Sequence, residues 1–507
     1  MGGYNQGPFR FMNFRERVPD GLRFWIYILF LVAFQFSNGM YFTAMSQMEG
    51  ELSITMNDVK MCSHAVLIGL TMYFPLAFRL KFRFTNRTSL MVAACGLGVC
   101  NLIVPHISHP WLLVPLCFIG GFFRLYGTFE CLSNILPKIA PTFNYRVFLS
   151  FVFFVVLGVI HVFDAISIYI VYYFGWRCLH IAAVGLMIVV FIMAMILMRP
   201  FRPAPKMPLL GIDWGGFILW SIFILSAIFV VQYGHQLGWL GSPYIRVAIG
   251  AVCISLAFNI GRMTYIRHPF LEAKAFRVHN VVNLLVLFLC LGILLASKNV
   301  LQNTFTGGVL HFGQLTLSKL KWVEFAGALL GALFSWQALT RFNLGYKTVT
   351  FIGFAAVVVY VGMMYFTVTP YTDMEKLYLP LVLCNFGHLS IFIALTAYIQ
   401  ATAPFPNYFQ ILCILGFVRT GIASPIGDAL YQTGISCLMG KHLVALGAYP
   451  QAFVATLQEL YGYTFIFGVV VLVAIAASRF KQHIYRPLPG IKAIYGMVMA
   501  TLPGRGK

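Results

Sequence analysis

The chain has 507 residues, of which 60% are hydrophobic and only 10% charged, and its mean hydropathy is +0.84. Soluble domains are about 25% charged, so a soluble fold of this composition would expose much apolar surface to water. The bulk of the chain must therefore lie in lipid. The formal net charge of +21 is carried by short basic clusters between apolar runs, which is typical of topology signals and headgroup contacts, not of nucleic-acid binding.

Fourteen apolar runs are long enough to cross a bilayer, since a span needs about 20 residues at 1.5 Å each. In chain order they cover 22–44, 60–80, 88–106, 110–136, 145–174, 178–198, 213–234, 243–266, 280–301, 320–342, 347–369, 376–400, 408–438 and 461–480. The seventh and eighth runs are separated only by a turn-like segment from Leu240 to Pro243. They therefore predict a helical hairpin.

The distribution of lysine and arginine predicts the orientation, because cytoplasmic loops are enriched in both residues. With the N-terminus inside, 25 basic residues fall in inner loops and tails and eight on the outer side. We therefore expect a multi-pass membrane protein with both termini cytoplasmic. The tail after Arg486 either lies on the inner leaflet or is a solvated disordered segment.

The sequence contains no signature of an enzyme, a cofactor or a metal site. Phosphate-binding, zinc-protease and serine-nucleophile motifs are absent, and the eleven cysteines form no CxxC pair. No loop is long enough for a soluble catalytic domain. We therefore predict a protein that is not an enzyme and that uses neither a cofactor nor a metal.

Several local patterns resemble one known transporter family. The segment after the second run reads FRLKFRFTNR, in which Leu80, Arg83 and Arg87 match the family's loop motif GxLaDRfGRR. The fourth run contains GFFRLYG, with Arg124 followed by a glycine as in the family. Four further matches are FGWR at 174–177, IDWGG at 212–216, HPFL at 268–271 and RTGIASPIG at 419–427.

These patterns resemble the major facilitator superfamily, in its fourteen-span drug:proton antiporter branch. The resemblance implies an all-α integral membrane fold of two six-helix bundles around a central cavity, with a two-helix insertion between them and alternating access by rocking. It also implies protons and a small-molecule substrate as ligands, and a periplasmic adaptor and outer-membrane channel as partners. The expected division is a cytoplasmic segment 1–21, a first bundle 22–200, the insertion 201–270, a second bundle 271–482 and a cytoplasmic tail 483–507.

Acidic residues inside predicted spans are functional candidates, because a charge at mid-membrane costs about 2.5–3.5 kcal/mol. Asp164 leads, since His161 lies three residues earlier on the same helical face and such a pair titrates near neutral pH. The alternative is a polar pair that only packs two helices. Glu130 is the second candidate for proton coupling, and a neutral hydrogen-bonded carboxyl is its alternative reading.

Arg124 and Glu130 share the fourth span but lie six residues apart, about 120° around the helix, so they need not pair. Arg124 is expected to contact another helix or the substrate, or else backbone carbonyls. Glu324, next to Lys319 and Lys321, is expected to be an interfacial residue, and its stripe with glycines at 327 and 331 predicts close helix packing.

Asp428 is the third acidic candidate, for proton coupling or for a gating contact. Tyr431 follows it on one face, and Arg419 is expected to be its partner two turns away. Four more polar residues inside spans are candidates for lining or gating the cavity: Gln35, Asn38, Asn385 and His388.

The function expected from these observations is proton-coupled export of hydrophobic, amphipathic or drug-like compounds. The main alternative is a transporter dedicated to one metabolite, lipid or siderophore, in either direction. A non-transporting membrane sensor and a membrane-embedded enzyme are further alternatives, and the enzyme would need clustered histidines or acids that the sequence does not show.

Overall fold

The computed structural model describes residues 13–36, 45–141, 144–209, 212–266, 268–276, 281–447, 449–478, 480 and 496–497. Within these ranges the chain is helical, and thirteen helices are long and apolar enough to cross a membrane. A fourteenth helix, Asp20–Phe36, covers the described part of the predicted first span. The all-α fold class is therefore confirmed. Asn38 and most of the predicted cytoplasmic tail lie outside the described residues.

The membrane helices are numbered here in chain order. They are α1 (Asp20–Phe36), α2 (Met56–Arg83), α3 (Asn86–His106), α4 (Pro110–Ile139), α5 (Tyr145–Phe174), α6 (Arg177–Leu197), α7 (Trp214–Tyr233), α8 (Pro243–Tyr265), α9 (Val281–Val309), α10 (Gln314–Thr340), α11 (Tyr346–Thr367), α12 (Met374–Thr402), α13 (Asn407–Leu446) and α14 (Tyr449–Ala477).

Local sequence signals explain several helix ends. Thr55 and Asp58 form a capping box at the start of α2, which satisfies amide groups that have no partner inside the helix. Asp213 caps α7 by accepting a hydrogen bond from the amide of Gly216. The connections α5–α6 and α13–α14 turn at Gly175 and Gly447, whose φ angles of 82° and 67° favour glycine.

Three helices run further than hydropathy predicts. The ninth predicted span ends at 301, whereas α9 continues to Val309 through two π-helical turns. Between the thirteenth and fourteenth predicted spans the described residues are helical apart from Gly447, because α13 extends to Leu446 and α14 begins at Tyr449. Polar residues lower the local hydropathy, so they end a predicted span. They do not interrupt backbone hydrogen bonding, so a helix can continue beyond the apolar run.

The helices pack as two groups and a hairpin. In the first group α4 contacts α1, α2 and α3, and α6 contacts α3 and α1. In the second group α12 contacts α10 and α11, while α14 contacts α11 and α13. The hairpin α7–α8 follows the first group, and its α7 packs on both α2 and α13. We refer to α1–α6 and α9–α14 as the first and second halves.

Two seams join the halves. At one seam α5 packs on α10 and α12, and at the other α2 packs on α13. Polar contacts hold the first seam near both ends: the hydroxyl of Ser318 donates to the carbonyl of Ala165 at 3.3 Å, and Arg146 donates to the carbonyl of Leu339 at 3.0 Å. Any motion of one half against the other must change these contacts.

Candidate functional site

The most concentrated group of buried charges lies at the α5–α10 seam. Glu324 of α10 is 1% exposed, and its Oε2 lies 2.9 Å from Nζ of Lys298, 3.2 Å from Nζ of Lys321 and 3.0 Å from Nδ1 of His161. Lys298 belongs to α9 and His161 to α5. One carboxylate thus links three helices and connects the two halves.

Asp164 joins this group, which we call the seam cluster: His161, Asp164, Lys298, Lys321 and Glu324. Asp164 interacts electrostatically with all four other members, and its Oδ1 is buried without a hydrogen-bond partner among the described residues. Nζ of Lys298 also donates to Oδ1 of the predicted candidate Asn385 at 3.1 Å. Asp164 and His161 therefore lie together as predicted. The second acid, Glu324, contacts His161 and both lysines of the cluster.

Glu324 pairs with the nearby Lys321, as expected, but it is buried and not interfacial. Its helix α10 approaches α12 closely, because a Cβ at Gly327 would lie 2.5 Å from the carbonyl oxygen of Val382, and one at Gly331 would lie 2.6 Å from that of Phe386. The predicted close packing of this stripe is thus present. It draws Glu324 into the protein interior, where Lys298 and His161 are within reach.

Non-standard helical turns occur beside the seam cluster. A π-helical segment covers Phe154–Gly158 in α5, just before His161, and another covers Lys298–Gln302 in α9. A third, Phe417–Ala423 in α13, contains Arg419. Such bulges shift the register of side chains and occur frequently at functional sites.

Arg419 lies against an aromatic wall next to this cluster. Its guanidinium carbon is 4.3 Å from the ring centroid of Phe392 in α12. The Phe392 ring also contacts Phe153 of α5 at 5.6 Å and Phe288 of α9 at 5.0 Å between centroids. His388, one turn earlier on α12, lies 5.4 Å from Phe392 and interacts electrostatically with Arg419.

Arg419 is not the partner of Asp428, which corrects the predicted pairing. Nine residues span about 900° of α-helix, so the two side chains start on opposite faces, and the π segment shifts them further. Asp428 is buried and interacts instead with Lys60 of α2, across the second seam. Tyr431 is also buried, and its hydroxyl lies 3.0 Å from that of Thr464 in α14.

The two first-half candidates on α4 have separate partners. Arg124 donates from Nη2 to Oε1 of Gln35 at 2.8 Å, and Gln35 donates to Thr128 at 2.8 Å. Glu130 lies 3.4 Å from Nζ of Lys81. The prediction that Arg124 and Glu130 need not pair agrees with this geometry.

A hydrogen-bond network surrounds Glu130. Asn134 donates to its carboxylate at 2.9 Å and accepts from Asn13 at 2.8 Å and Asn86 at 3.1 Å. These contacts join α3, α4 and the segment before α1, all in the first half. In the matched loop motif Leu80 is buried, while Arg83 and Arg87 are partly buried and form no ion pair within the described ranges.

Sequence reasoning did not identify three lysines, Lys60, Lys81 and Lys298, as partners of buried acids, nor Glu324 as the centre of a cluster. Lys298 lies only three residues before the predicted end of the ninth span at 301. Its position inside a 29-residue helix could have been predicted, because the residues after 301 are partly polar but compatible with a helix. Across the described part of the chain, no group of three metal-ligating side chains is present.

Comparison with known proteins identifies the fold. No protein-family model and no curated protein matches the sequence. Among solved structures, an auto-inhibited POT family peptide transporter is similar with a TM-score of 0.57 at 14% identity, covering 93% of this chain and 99% of that chain. A major facilitator superfamily proton:xylose symporter gives 0.53 at 14% identity over 89% and 94%, and a nucleoside transporter gives 0.54 at 11% identity over 90% and 99%.

At these identities the similarity establishes the fold. The chain shares the all-α fold of these solved structures, all of them transporters, which confirms the predicted fold class. The resemblance to the drug:proton antiporter branch is a finer statement that these comparisons leave as a hypothesis.

Proposed function

We propose that this protein is a proton-coupled secondary transporter of small amphipathic solutes that works by alternating access. The observation that carries the proposal is the ion pair between His161 of the first half and Glu324 of the second. Because the pair crosses a seam that must open for the halves to rock, its strength controls the motion. Buried ionisable groups of this kind mark ion pathways in membrane proteins.

Protonation of the seam cluster supplies a mechanism for coupling. When Glu324 is ionised, it holds His161, Lys298 and Lys321 together. A proton on Glu324 removes the negative charge, so His161 loses its charged partner and the two lysines repel each other. Asp164 is the second acceptor within reach of the same charges. A proton that enters down a 100 mV potential supplies about 2.3 kcal/mol, which is enough to shift such an equilibrium more than tenfold.

The finer assignment is export of drug-like or amphipathic compounds in exchange for protons, from a bacterial inner membrane with both termini in the cytoplasm. The motif resemblance and the basic-residue bias support it. In this assignment the moving bodies are 22–200 and 271–482, with the insertion 201–270 between them. A periplasmic adaptor and an outer-membrane channel would complete the export route.

A carrier dedicated to one solute is the second candidate. The concentration of polar groups around Lys298, including the amide of Asn385, favours it, because fixed hydrogen-bonding groups select one ligand more sharply than aromatic walls do. The two candidates differ in substrate range and share the coupling mechanism.

The test is substrate-driven proton flux in proteoliposomes that contain a lumenal pH dye, with a panel of hydrophobic cations and anions. We expect flux in the wild type and its loss by at least about tenfold in Glu324→Gln and Asp164→Asn. Asp373→Asn is the matched control, because this acid is exposed in the loop between α11 and α12 and its loss should leave flux unchanged.

The direction of proton movement relative to the solute tests the assignment of export in exchange for protons. Protons that move opposite to the solute support exchange, whereas protons that move with it would replace export by uptake. Wild-type flux that survives both cluster substitutions would exclude the seam cluster as the coupling site. Absence of flux with every panel member would contradict transport of amphipathic solutes.

A further inference from the structure

Arg419 differs from the neighbouring cations Lys298 and Lys321, which pair with Glu324. Among the described residues no carboxylate lies within ion-pair distance of its guanidinium group, which rests on the face of Phe392 at 4.3 Å. The side chain is deep in the protein, yet part of its surface remains accessible. A buried cation with an open side and no counter-charge is costly, so a mobile anion would be held there strongly.

The net charge of the groups around Arg419 also favours an anionic ligand. Three cations, Lys298, Lys321 and Arg419, stand with the two acids of the seam cluster, so the group carries one excess positive charge when both acids are ionised. Removing this excess inside a membrane is favourable. A ligand with one negative charge would leave the group neutral.

The shape and chemistry beside Arg419 define the rest of the ligand. Phe392 contacts Phe153 and Phe288, which forms an apolar wall from α5, α9 and α12. Nε2 of His388 is buried and has no hydrogen-bond partner within the described ranges, so it can serve a polar ligand atom. Guanidinium groups bind carboxylates through two parallel hydrogen bonds, and aromatic walls suit an apolar body.

We propose that Arg419 binds the acidic group of the transported solute, and that Phe392 and its aromatic neighbours hold the solute's apolar part. The substrates would thus be amphipathic monoanions such as aromatic or aliphatic carboxylates. This inference rests on the proposed transport function. Since Phe153 belongs to the first half and Arg419 to the second, a solute at this site touches both moving halves.

The site also predicts how pH affects binding. Among the titratable and charged groups around it, His388 of α12 interacts with Arg419, Lys298 and His161. Lys298 and His161 interact in turn with Asp164 of α5 and with Glu324 of α10, which also pairs with Lys321. Protonation of any of the acids or histidines makes the site more positive, so an anion binds more tightly as pH falls.

The experiment compares two probes with the same ring and opposite charge. Binding of 1-naphthoate and of 1-naphthylmethylammonium to purified full-length protein is measured by equilibrium dialysis for the wild type, Arg419→Gln and Arg419→Lys. The control is Arg246→Gln, an exposed arginine near the start of α8. Thermal unfolding of each variant verifies that it is folded.

We expect the wild type to prefer 1-naphthoate, Arg419→Gln to weaken its binding at least about tenfold, and Arg419→Lys to keep the preference for the anion. Arg246→Gln should bind like the wild type. The proposal is overturned if folded Arg419→Gln binds 1-naphthoate normally, if Arg419→Lys favours the amine, or if the wild type prefers the amine or binds neither probe at millimolar concentration. If only this proposal fails, proton-coupled flux of other solutes should persist. Complete absence of flux would refute the transport function itself.

Discussion

Two buried charge networks within the membrane helices differ in what they connect. In the first half, Glu130 meets Lys81 at 3.4 Å and Asn134 at 2.9 Å, and all its partners belong to the same group of helices. The seam cluster instead joins α5 of the first half to α9 and α10 of the second through Glu324. Rocking of the halves leaves the first network intact and must change the second.

This difference separates structural from functional roles more clearly than burial does. Glu130 and Glu324 are both 1% exposed, so burial alone assigns them equal importance. Their charges are satisfied differently: Glu130 has one lysine and a neutral amide network, whereas Glu324 has two lysines and a histidine. We therefore assign Glu130 to holding the first half together and Glu324 to coupling.

The largest effect that tests this assignment is on stability. Glu130→Gln or Lys81→Met alone leaves an unpaired buried charge or polar group, and each should lower the free energy of unfolding by about 3–5 kcal/mol. The double variant Lys81→Met/Glu130→Leu should recover most of this loss, because a buried pair replaced by apolar side chains is often neutral. Unfolding of the wild type and the three variants in detergent measures these differences.

The proton flux of the folded fraction provides the contrast. In each of these first-half variants the flux per folded molecule should match the wild type and keep its pH dependence. A folded Glu130→Gln protein of normal stability that has lost proton flux would reverse the assignment and place coupling in the first half.

Sequence predicts the fold well because membrane helices are specified locally. Each apolar run, the hairpin turn between Leu240 and Pro243, and the basic clusters can be recognised within about 20 residues. Even the separation of Arg124 from Glu130 follows from the geometry of one helix. No partner on another helix needs to be known for any of these conclusions.

The site depends on information that a single helix does not contain. Glu324 was assigned to an interface because its neighbours in sequence are lysines, yet Lys298 and His161 reach it from other helices. Arg419 was expected to pair with Asp428 along the same helix, whereas the cation that interacts with Asp428, Lys60, comes from α2. Partner choice across a seam is set by tertiary packing, which periodicity does not encode.

A smaller effect should follow from changing the contact that positions Glu324. In Gly331→Ala the new Cβ would lie 2.6 Å from the carbonyl oxygen of Phe386, so α10 must move away from α12 and stability should fall by about 1–3 kcal/mol. The matched control is Gly185→Ala in α6, where nothing lies within 4 Å. That change should be neutral or stabilise by up to about 1 kcal/mol.

The same pair of variants extends the comparison of the two networks to transport. Displacement of α10 should weaken the contacts of Glu324 with Lys298 and His161, so Gly331→Ala should also reduce proton flux per folded molecule. Equal flux in Gly331→Ala and Gly185→Ala would show that the α10–α12 contact does not position the seam cluster.

The smallest predicted effect concerns Asp213, which lies outside both networks and ties the hairpin together. Burial alone would raise the pKa of this carboxyl group, but hydrogen bonds from Arg262 and from the amides of Gly216 and Phe270 outweigh it and hold the pKa below its usual value. A group with a lowered folded-state pKa stabilises the fold above its unfolded pKa, near 3.9. That stabilisation is lost as pH falls through the folded value.

Asp213→Asn should therefore unfold at a lower temperature than the wild type at neutral pH, and the difference should shrink below about pH 4. Because Arg262 is about one-third exposed, solvent screening keeps the effect to about 1 kcal/mol or less. Asp373→Asn, at an exposed loop acid, should show no such pH-dependent difference. If Asp213→Asn also abolished proton flux, the hairpin would take part in the transport motion. The hairpin would then be a third region to place beside the static first-half network and the mobile seam.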